Sequence, residues 1–155
     1  MSLDSPYGYR ADLGEENNNL ILQVGVKALL KNYDGKYLLL HRNPEMYPGV
    51  SQLWDLVGGR INPGKSLLEN LAREINEETG LKLVQKPKLI AAQDILRKPG
   101  YHTVRLTYLG EIYGEPILNK EHDKFAWFSI PELKNMPEDE LDIYFREVIN
   151  SVYSE

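Results

Sequence analysis

Three glutamates, Glu74, Glu77 and Glu78, stand three and four residues apart in the run Arg73-Glu74-Ile75-Asn76-Glu77-Glu78-Thr79-Gly80-Leu81. At about 100° per residue on a helix they fall on one stripe beside the apolar positions. Carboxylates crowded on a stripe repel one another. At the edge of a groove the same stripe offers hard oxygen ligands suited to Mg²⁺ or Mn²⁺. On an open face it is an ordinary charged helix surface. Arg73 precedes Glu77 by four residues, the spacing at which a guanidinium pairs with and orients a carboxylate.

Other residues offer binding rather than reaction. Arg42 and Arg60 end strand-like runs, where either can hold a phosphate by a forked contact or serve as plain surface. Tyr47 and Trp54 carry rings large enough to stack on a nucleobase, although Trp54, inside a strand, is better explained by core packing. His41, His102 and His122 share no metal-ligand spacing and read as ordinary histidines. Spacing supports no Ser/His/Asp arrangement.

These side chains need elements to hold them. Leu20 to Leu30 is strand-like, Tyr33-Asp34-Gly35-Lys36 is a turn of the Asp-Gly type, and Tyr37 to Leu40 returns as a strand. Residues 20–42 therefore predict a hairpin. A loop with two prolines follows over Asn43 to Gly49, then a short strand from Leu53 to Val57, closed by Gly58-Gly59. Ser66 and Glu69 match a capping box. They predict a helix to about Thr79 with Gly80 as its stop, and Leu68, Leu71, Ala72 and Ile75 share its inner face. Strand-like stretches follow at 81–84, 88–95, 103–112 and 125–128. Pro131 opens a short helical piece, and 138–152 reads as a last amphipathic helix. The order predicts an α/β or α+β sandwich on a mixed sheet. Residues 1–19 read as a polar arm, a loose terminus or a docking segment through Tyr7 and Tyr9 that would make a homodimer. Residues 20–155 are expected to form a single domain.

The segment around the acidic helix resembles the Nudix box, G-x5-E-x7-R-E-U-x-E-E-x-G-U with U aliphatic. Gly59, Arg73, Glu74, Ile75, Glu77, Glu78, Gly80 and Leu81 fall in register with it. At average residue frequencies such a match arises by chance on the order of once in several hundred thousand chains of this length. Two positions depart from the pattern: Lys65 replaces the first glutamate, and Asn62 stands where many members carry another acid. The lysine removes one negative charge and adds a positive one, which contacts a substrate phosphate or pairs with Glu69.

The resemblance implies a Nudix fold, an α/β/α sandwich around a mixed β-sheet. It implies a Mg²⁺-dependent hydrolase, with Mn²⁺ as the alternative ion, that splits a diphosphate linkage in a nucleoside diphosphate derivative. ADP-ribose, nucleotide sugars, (d)NTPs and dinucleoside polyphosphates are all candidates. Glu74, Glu77 and Glu78 map to the metal positions, and Arg73 orients Glu77. Family members often carry a further acid in a loop like Lys120-Glu121-His122-Asp123, serving as general base or metal ligand; Glu121 is the first choice and Asp123 the second. Arg42, Arg60, Lys65 and Tyr47 are the expected substrate contacts. A Nudix-fold module that binds a nucleotide without cleaving it is the competing reading, kept open by Lys65.

The same residues hold a rival motif. Gly59 to Ser66 also satisfies G-x-x-x-x-G-K-[ST], the phosphate-binding P-loop. That match arises by chance in roughly one chain in a few hundred, and Pro63 lacks the N–H that a phosphate cradle uses. No second acidic motif closes a hydrophobic strand, so the hydrolase reading is preferred.

Composition limits the remaining options. The 155 residues include 18 Lys+Arg and 23 Asp+Glu, a formal charge of −5, which argues against a general nucleic-acid-binding surface. Cysteine is absent, so thiolate zinc sites, disulfides and cysteine nucleophiles are excluded. No apolar run reaches the roughly 18 residues of a membrane span, and Met1 to Ser5 lacks signal-peptide order. A cytoplasmic enzyme with a small nucleotide substrate, and no membrane or nucleic-acid polymer as partner, is the expectation.

Overall fold

The computed structural model describes residues 3–4, 10–11 and 19–154. Most of the expected arm, with Tyr7 and Tyr9, lies outside the described residues. A two-stranded antiparallel ribbon joins β1 (Leu3–Asp4) and β2 (Arg10–Ala11). The main sheet has seven strands: β3 (Ile21–Lys31), β4 (Tyr37–Arg42), β5 (Trp54–Asp55), β6 (Val57–Arg60), β7 (Lys88–Ile95), β8 (Tyr101–Glu111) and β9 (His122–Phe128). β3 and β8 run parallel along their whole length; every other pairing is antiparallel, so the sheet is mixed. Helix α1 (Leu67–Thr79) covers one face; α2 (Ile130–Lys134) and α3 (Ile143–Val152) cover the other.

Strand alternation explains the two layers. In β3, Val26, Ala28 and Leu30 pack toward Leu71 and Ile75 of α1, while Leu29 packs with Phe145, Val148 and Ile149 of α3. In β4, Leu38 and Leu40 join the first core and Tyr37 and Leu39 the second. A sheet buried on both faces reads as an almost unbroken apolar run, as both strands do. Leu71 and Ile75 are fully buried, each stabilising the fold by roughly 1.5–3 kcal/mol. Ser66 Oγ accepts the Glu69 N–H at 3.0 Å to start α1, and Gly80 at φ 71° ends it.

The expected hairpin is joined only at its neck, where Lys31 lies opposite Tyr37. Beyond the neck β3 and β4 part, and residues 54–60 fill the gap. They come in along β4 as β5, with Leu40 opposite Asp55, turn at Leu56, and leave along β3 as β6, with Ala28 opposite Val57 and Gly25 opposite Arg60. The strand expected over 53–57 is thus two short strands on two different partners, and Gly58-Gly59 lie inside the second.

Three other expectations are corrected. Residues 81–84 form no strand: Leu81 and Leu83 plug the first core, and β7 already takes the edge of β8 they would need. The last helix begins at Ile143, because Leu141 bridges to Trp54 and Asp142 caps the helix by accepting the Phe145 N–H at 2.9 Å. Ala72 is exposed, and the inner face of α1 continues instead through Glu78 and Thr79. Among the described residues no helix is long and apolar enough to cross a membrane.

Candidate active site

The site is built around the turn at Leu56, in the gap between β3 and β4. Gly58 has φ +142° there, and a Cβ would lie 2.0 Å from the Val26 carbonyl oxygen, so only glycine fits. Its N–H donates to Glu78 Oε1 at 2.8 Å. At Gly59 a Cβ would come within 2.9–3.0 Å of the Glu74 carboxylate, so the missing side chain is what lets that acid lie against the strand. Glu78 is only 6% exposed. Burial pushes its pKa up to about 7, against the pull of Lys27 and the Gly58 N–H, and with a further push from Glu74. Burial also raises Glu74, opposed by Arg73 and reinforced by Glu77.

Beneath the turn lies a buried charged network. Asp55 Oδ2 accepts from Lys27 Nζ at 2.9 Å and from Arg42 Nη2 at 2.6 Å, and Asp55 Oδ1 accepts the Leu56 N–H at 2.7 Å. Lys27 Nζ also donates to the carbonyls of Leu56 and Gly58, each at 3.4 Å. Burial alone would raise the Asp55 pKa, but Lys27, Arg105 and Arg42 outweigh it and hold the carboxyl well below its usual range. Arg105 in turn donates to Asp142 Oδ2 at 2.7 Å, linking the network to the start of α3.

The acidic stripe is graded. Glu78 faces the turn, Glu74 is half-buried beside Gly59, and Glu77 is exposed. Arg73 Nη1 donates to Glu74 Oε1 at 3.0 Å and to Glu77 Oε2 at 3.3 Å, and its Nη2 to Asn70 Oδ1 at 3.0 Å and the Arg60 carbonyl at 3.3 Å. The arginine thus holds two carboxylates, the nearer being Glu74.

A loop brings the remaining groups. Asn119 Nδ2 donates to the Glu77 carbonyl at 3.3 Å while its Oδ1 accepts the Glu121 N–H at 3.1 Å. The Asn43 N–H donates to the Glu121 carbonyl at 2.9 Å. Clamped in this way, Glu121 and His122 meet Glu78: one ligand atom from each lies within 4.8 Å of the other two. His122 is 8% exposed, and its pKa is lowered to about 4 by burial, then by Lys27 and Arg42, so the ring is neutral. Two carboxylates and a neutral imidazole are a donor set that fits a divalent cation, and such an ion would restore the charged form of Glu78.

Arg42 lies with its guanidinium carbon 5.5 Å from the Tyr47 ring centroid, so these two expected substrate contacts stand together. The Tyr47 pKa is raised by burial and then by Glu121. Asp123 turns away to His41 Nδ1 at 2.7 Å. Trp54 packs edge-on to His41 and Phe128, with centroids 4.9 and 5.4 Å away. Arg60 is exposed. Lys65 lines a cavity of ≈ 220 Å³ with Asn62, Glu69, Asn70 and Arg73; Glu78, Glu121 and His122 do not line it. The loop there is held inward, not opened as a phosphate cradle. Asn70 Oδ1 takes the Asn62 N–H at 2.7 Å, and Asn70 Nδ2 donates to the carbonyls of Asn62, Lys65 and Ser66 at 3.4, 3.2 and 2.8 Å.

Sequence reasoning missed Lys27, Asp55 and His122. The available signal for the first two was a single charged residue inside each of two apolar strands, where an unpaired charge is costly.

A profile of the NUDIX domain matches residues 21–148. The chain is 33% identical over 105 residues to the NAD-capped RNA hydrolase NudC of Stutzerimonas stutzeri, covering 66% of this chain and 36% of that protein, so it spans about a third of that relative's length. It is 32% identical over 120 residues to the nucleoside triphosphatase NudI of Escherichia fergusonii, covering 70% of this chain and 82% of the relative. The crystal structure of the MutT protein from Methanosarcina mazei Go1 superposes with a TM-score of 0.75 at 28% identity, covering 87% of this chain and 95% of that one.

Proposed function

The chain belongs to the NUDIX domain family, and on that footing we propose that it hydrolyses a diphosphate linkage in a nucleoside diphosphate derivative with a divalent cation. The observation that carries the proposal is the meeting of Glu78 with Glu121 and His122 beside the Gly58-Gly59 turn. Glu74, Glu77 and Glu78 are the metal-side acids. These residues would hold the cation, which would supply charge neutralisation at the phosphorus centre and a more acidic water. Glu121, held by Asn43 and Asn119, is the base that takes the proton from that water, with Glu77 as the second candidate. Arg73 keeps Glu74 and Glu77 in place. Arg42 spends one nitrogen on Asp55 and keeps other N–H groups for a phosphate, while the neighbouring Tyr47 ring offers a stacking surface for the base. Arg60 and Lys65 are outer contacts for longer substrates.

The test is phosphate release, coupled to a phosphatase, from ADP-ribose, nucleotide sugars, (d)NTPs, dinucleoside polyphosphates and an NAD-capped RNA oligonucleotide. The capped RNA joins the panel because the matched NudC relative is named for that substrate. Each assay runs with Mg²⁺, Mn²⁺ or EDTA. Metal-dependent turnover that disappears in Glu78→Gln is the expected result. Silence across the panel, with thermal stabilisation by a nucleotide, would identify a non-catalytic binding module instead.

A further inference from the structure

We propose that Glu78, Glu121 and His122 form one mixed nitrogen–oxygen site for a first-row transition-metal ion, with the His122 imidazole as a direct ligand. This rests on the reading of the groove as a divalent-metal site; it gives one Glu121 carboxylate oxygen to the ion and leaves the other as the base, and it adds the nitrogen donor and the ion preference that donor imposes.

The geometry is nearly closed. Ligand atoms about 2.1 Å from a common ion sit roughly 3–4 Å apart, and the three atoms here already lie within 4.8 Å of one another. Small side-chain rotations complete the contact. Regular elements and a hydrogen-bonded loop stand behind them. Glu78 stands on α1, His122 opens β9 opposite Arg42, and Asn119 ties the loop to the Glu77 carbonyl.

The second observation is the imidazole itself. His122 is 8% exposed. Its Nδ1 has one long contact, 3.4 Å to Asn119 Oδ1, and its Nε2 makes no hydrogen bond among the described residues. With Nδ1–H donating to the Asn119 amide oxygen, the Nε2 lone pair is left without a protein partner and is available to a metal ion. By contrast, His41 and His102 are each engaged by a carboxylate at 2.7 Å.

Chemistry then sets the ion. Mg²⁺ favours an all-oxygen octahedron, whereas imidazole favours the later first-row ions. A site with one nitrogen and two carboxylates selects Co²⁺, Fe²⁺ or Zn²⁺ over Mg²⁺.

The full-length protein, stripped of metal, is loaded with Mn²⁺ as a spectroscopic probe and examined by pulsed EPR. A ¹⁴N coupling is expected, and it should be replaced by the ¹⁵N pattern when the protein is grown on ¹⁵N-histidine. In His122→Gln the coupling disappears. Calorimetry should show Co²⁺ affinity falling at least about tenfold while Mg²⁺ affinity changes by less than about threefold. Stoichiometric Mn²⁺ without nitrogen coupling overturns the proposal and leaves the all-carboxylate groove standing. Absence of any Mg²⁺, Mn²⁺ or Co²⁺ binding overturns both. The isotope comparison needs no variant, so it decides even if His122→Gln fails to fold.

Discussion

Lys27 and Glu78 hold the same residue, one by its carbonyl and the other by its N–H. The lysine ammonium donates to the Gly58 carbonyl at 3.4 Å, and the glutamate accepts the Gly58 N–H at 2.8 Å. One side chain comes from β3 and the other from α1, so the turn is tied to both layers at one point.

Two adjacent alanine substitutions should therefore behave differently. At Gly58 the new Cβ meets the Val26 carbonyl at 2.0 Å with φ at +142°. Gly58→Ala should destabilise by more than about 3 kcal/mol or prevent folding. At Gly59 it meets the movable end of Glu74 at 2.9 Å. Gly59→Ala should fold, with less than about 1.5 kcal/mol lost, but with turnover reduced through the displaced carboxylate. Urea unfolding and the phosphate-release assay together check the pair.

Asp55→Asn should be among the most damaging single changes outside the acidic stripe. It leaves Lys27 buried without its carboxylate and removes the partner of Arg42. A cost of about 3–5 kcal/mol is expected, since breaking a buried pair strands a charge. Lys27→Met combined with Asp55→Leu should cost less than Asp55→Asn alone, because no amine is then stranded. Urea unfolding of Asp55→Asn and of the double variant checks this; a double variant that loses as much stability as Asp55→Asn would refute it.

Two groups should give opposite pH slopes in the metal-free protein. Glu78 is raised to about 7 from an ordinary 4.5. Between those values the folded state keeps a proton that the unfolded chain has lost, so stability falls as pH rises and the full cost stands above 7. His122 is lowered to about 4 from an ordinary 6.5. Between those values the unfolded chain holds the extra proton, so stability rises with pH. Relative to the parent, Glu78→Gln should gain on the order of 2–3 kcal/mol from pH 4.5 to 7. The relative stability of His122→Gln should fall from pH 4 to 6.5. Urea titrations at stepped pH in EDTA would show equal slopes if either assignment is wrong.

Lys65→Glu should leave metal affinity unchanged within about twofold, because Lys65 lines a cavity with Arg73 that does not include the Glu78 cluster. The new carboxylate would instead compete for Arg73, now shared by Glu74 and Glu77, and change the rate. Measuring Mg²⁺ dependence and kcat together separates the two effects; a rise in metal affinity would place the side chain in the metal site.

What could be read in advance was local. Helix periodicity, the Ser66 cap and the Gly80 stop are encoded within a few residues of one another, so α1 and its acidic stripe were legible before any contact was known. The Asp34-Gly35 turn was legible for the same reason. The partners of Lys27, Asp55 and His122 were not, since pairing across strands depends on which edges the fold brings together. Residues 81–84 show the converse. Alternating leucines suggested a strand, but strand formation also needs a free neighbouring edge. His122 looked ordinary because ligand spacing within one segment says nothing about an imidazole that meets Glu78 from another element.

Residues 54–60 form a bent wedge between β3 and β4, entering along one and leaving along the other with Leu56 at the apex. Sliding the segment by one residue would drive one limb toward the Lys31–Tyr37 neck and pull the other away. Its position is therefore fixed by the shape of the gap as well as by side chains. Length changes should be tolerated very unevenly as a result. Residues 48–51 are exposed and can gain or lose residues, whereas a single insertion or deletion between Trp54 and Arg60 moves Gly58 off Lys27 and out of reach of Glu78.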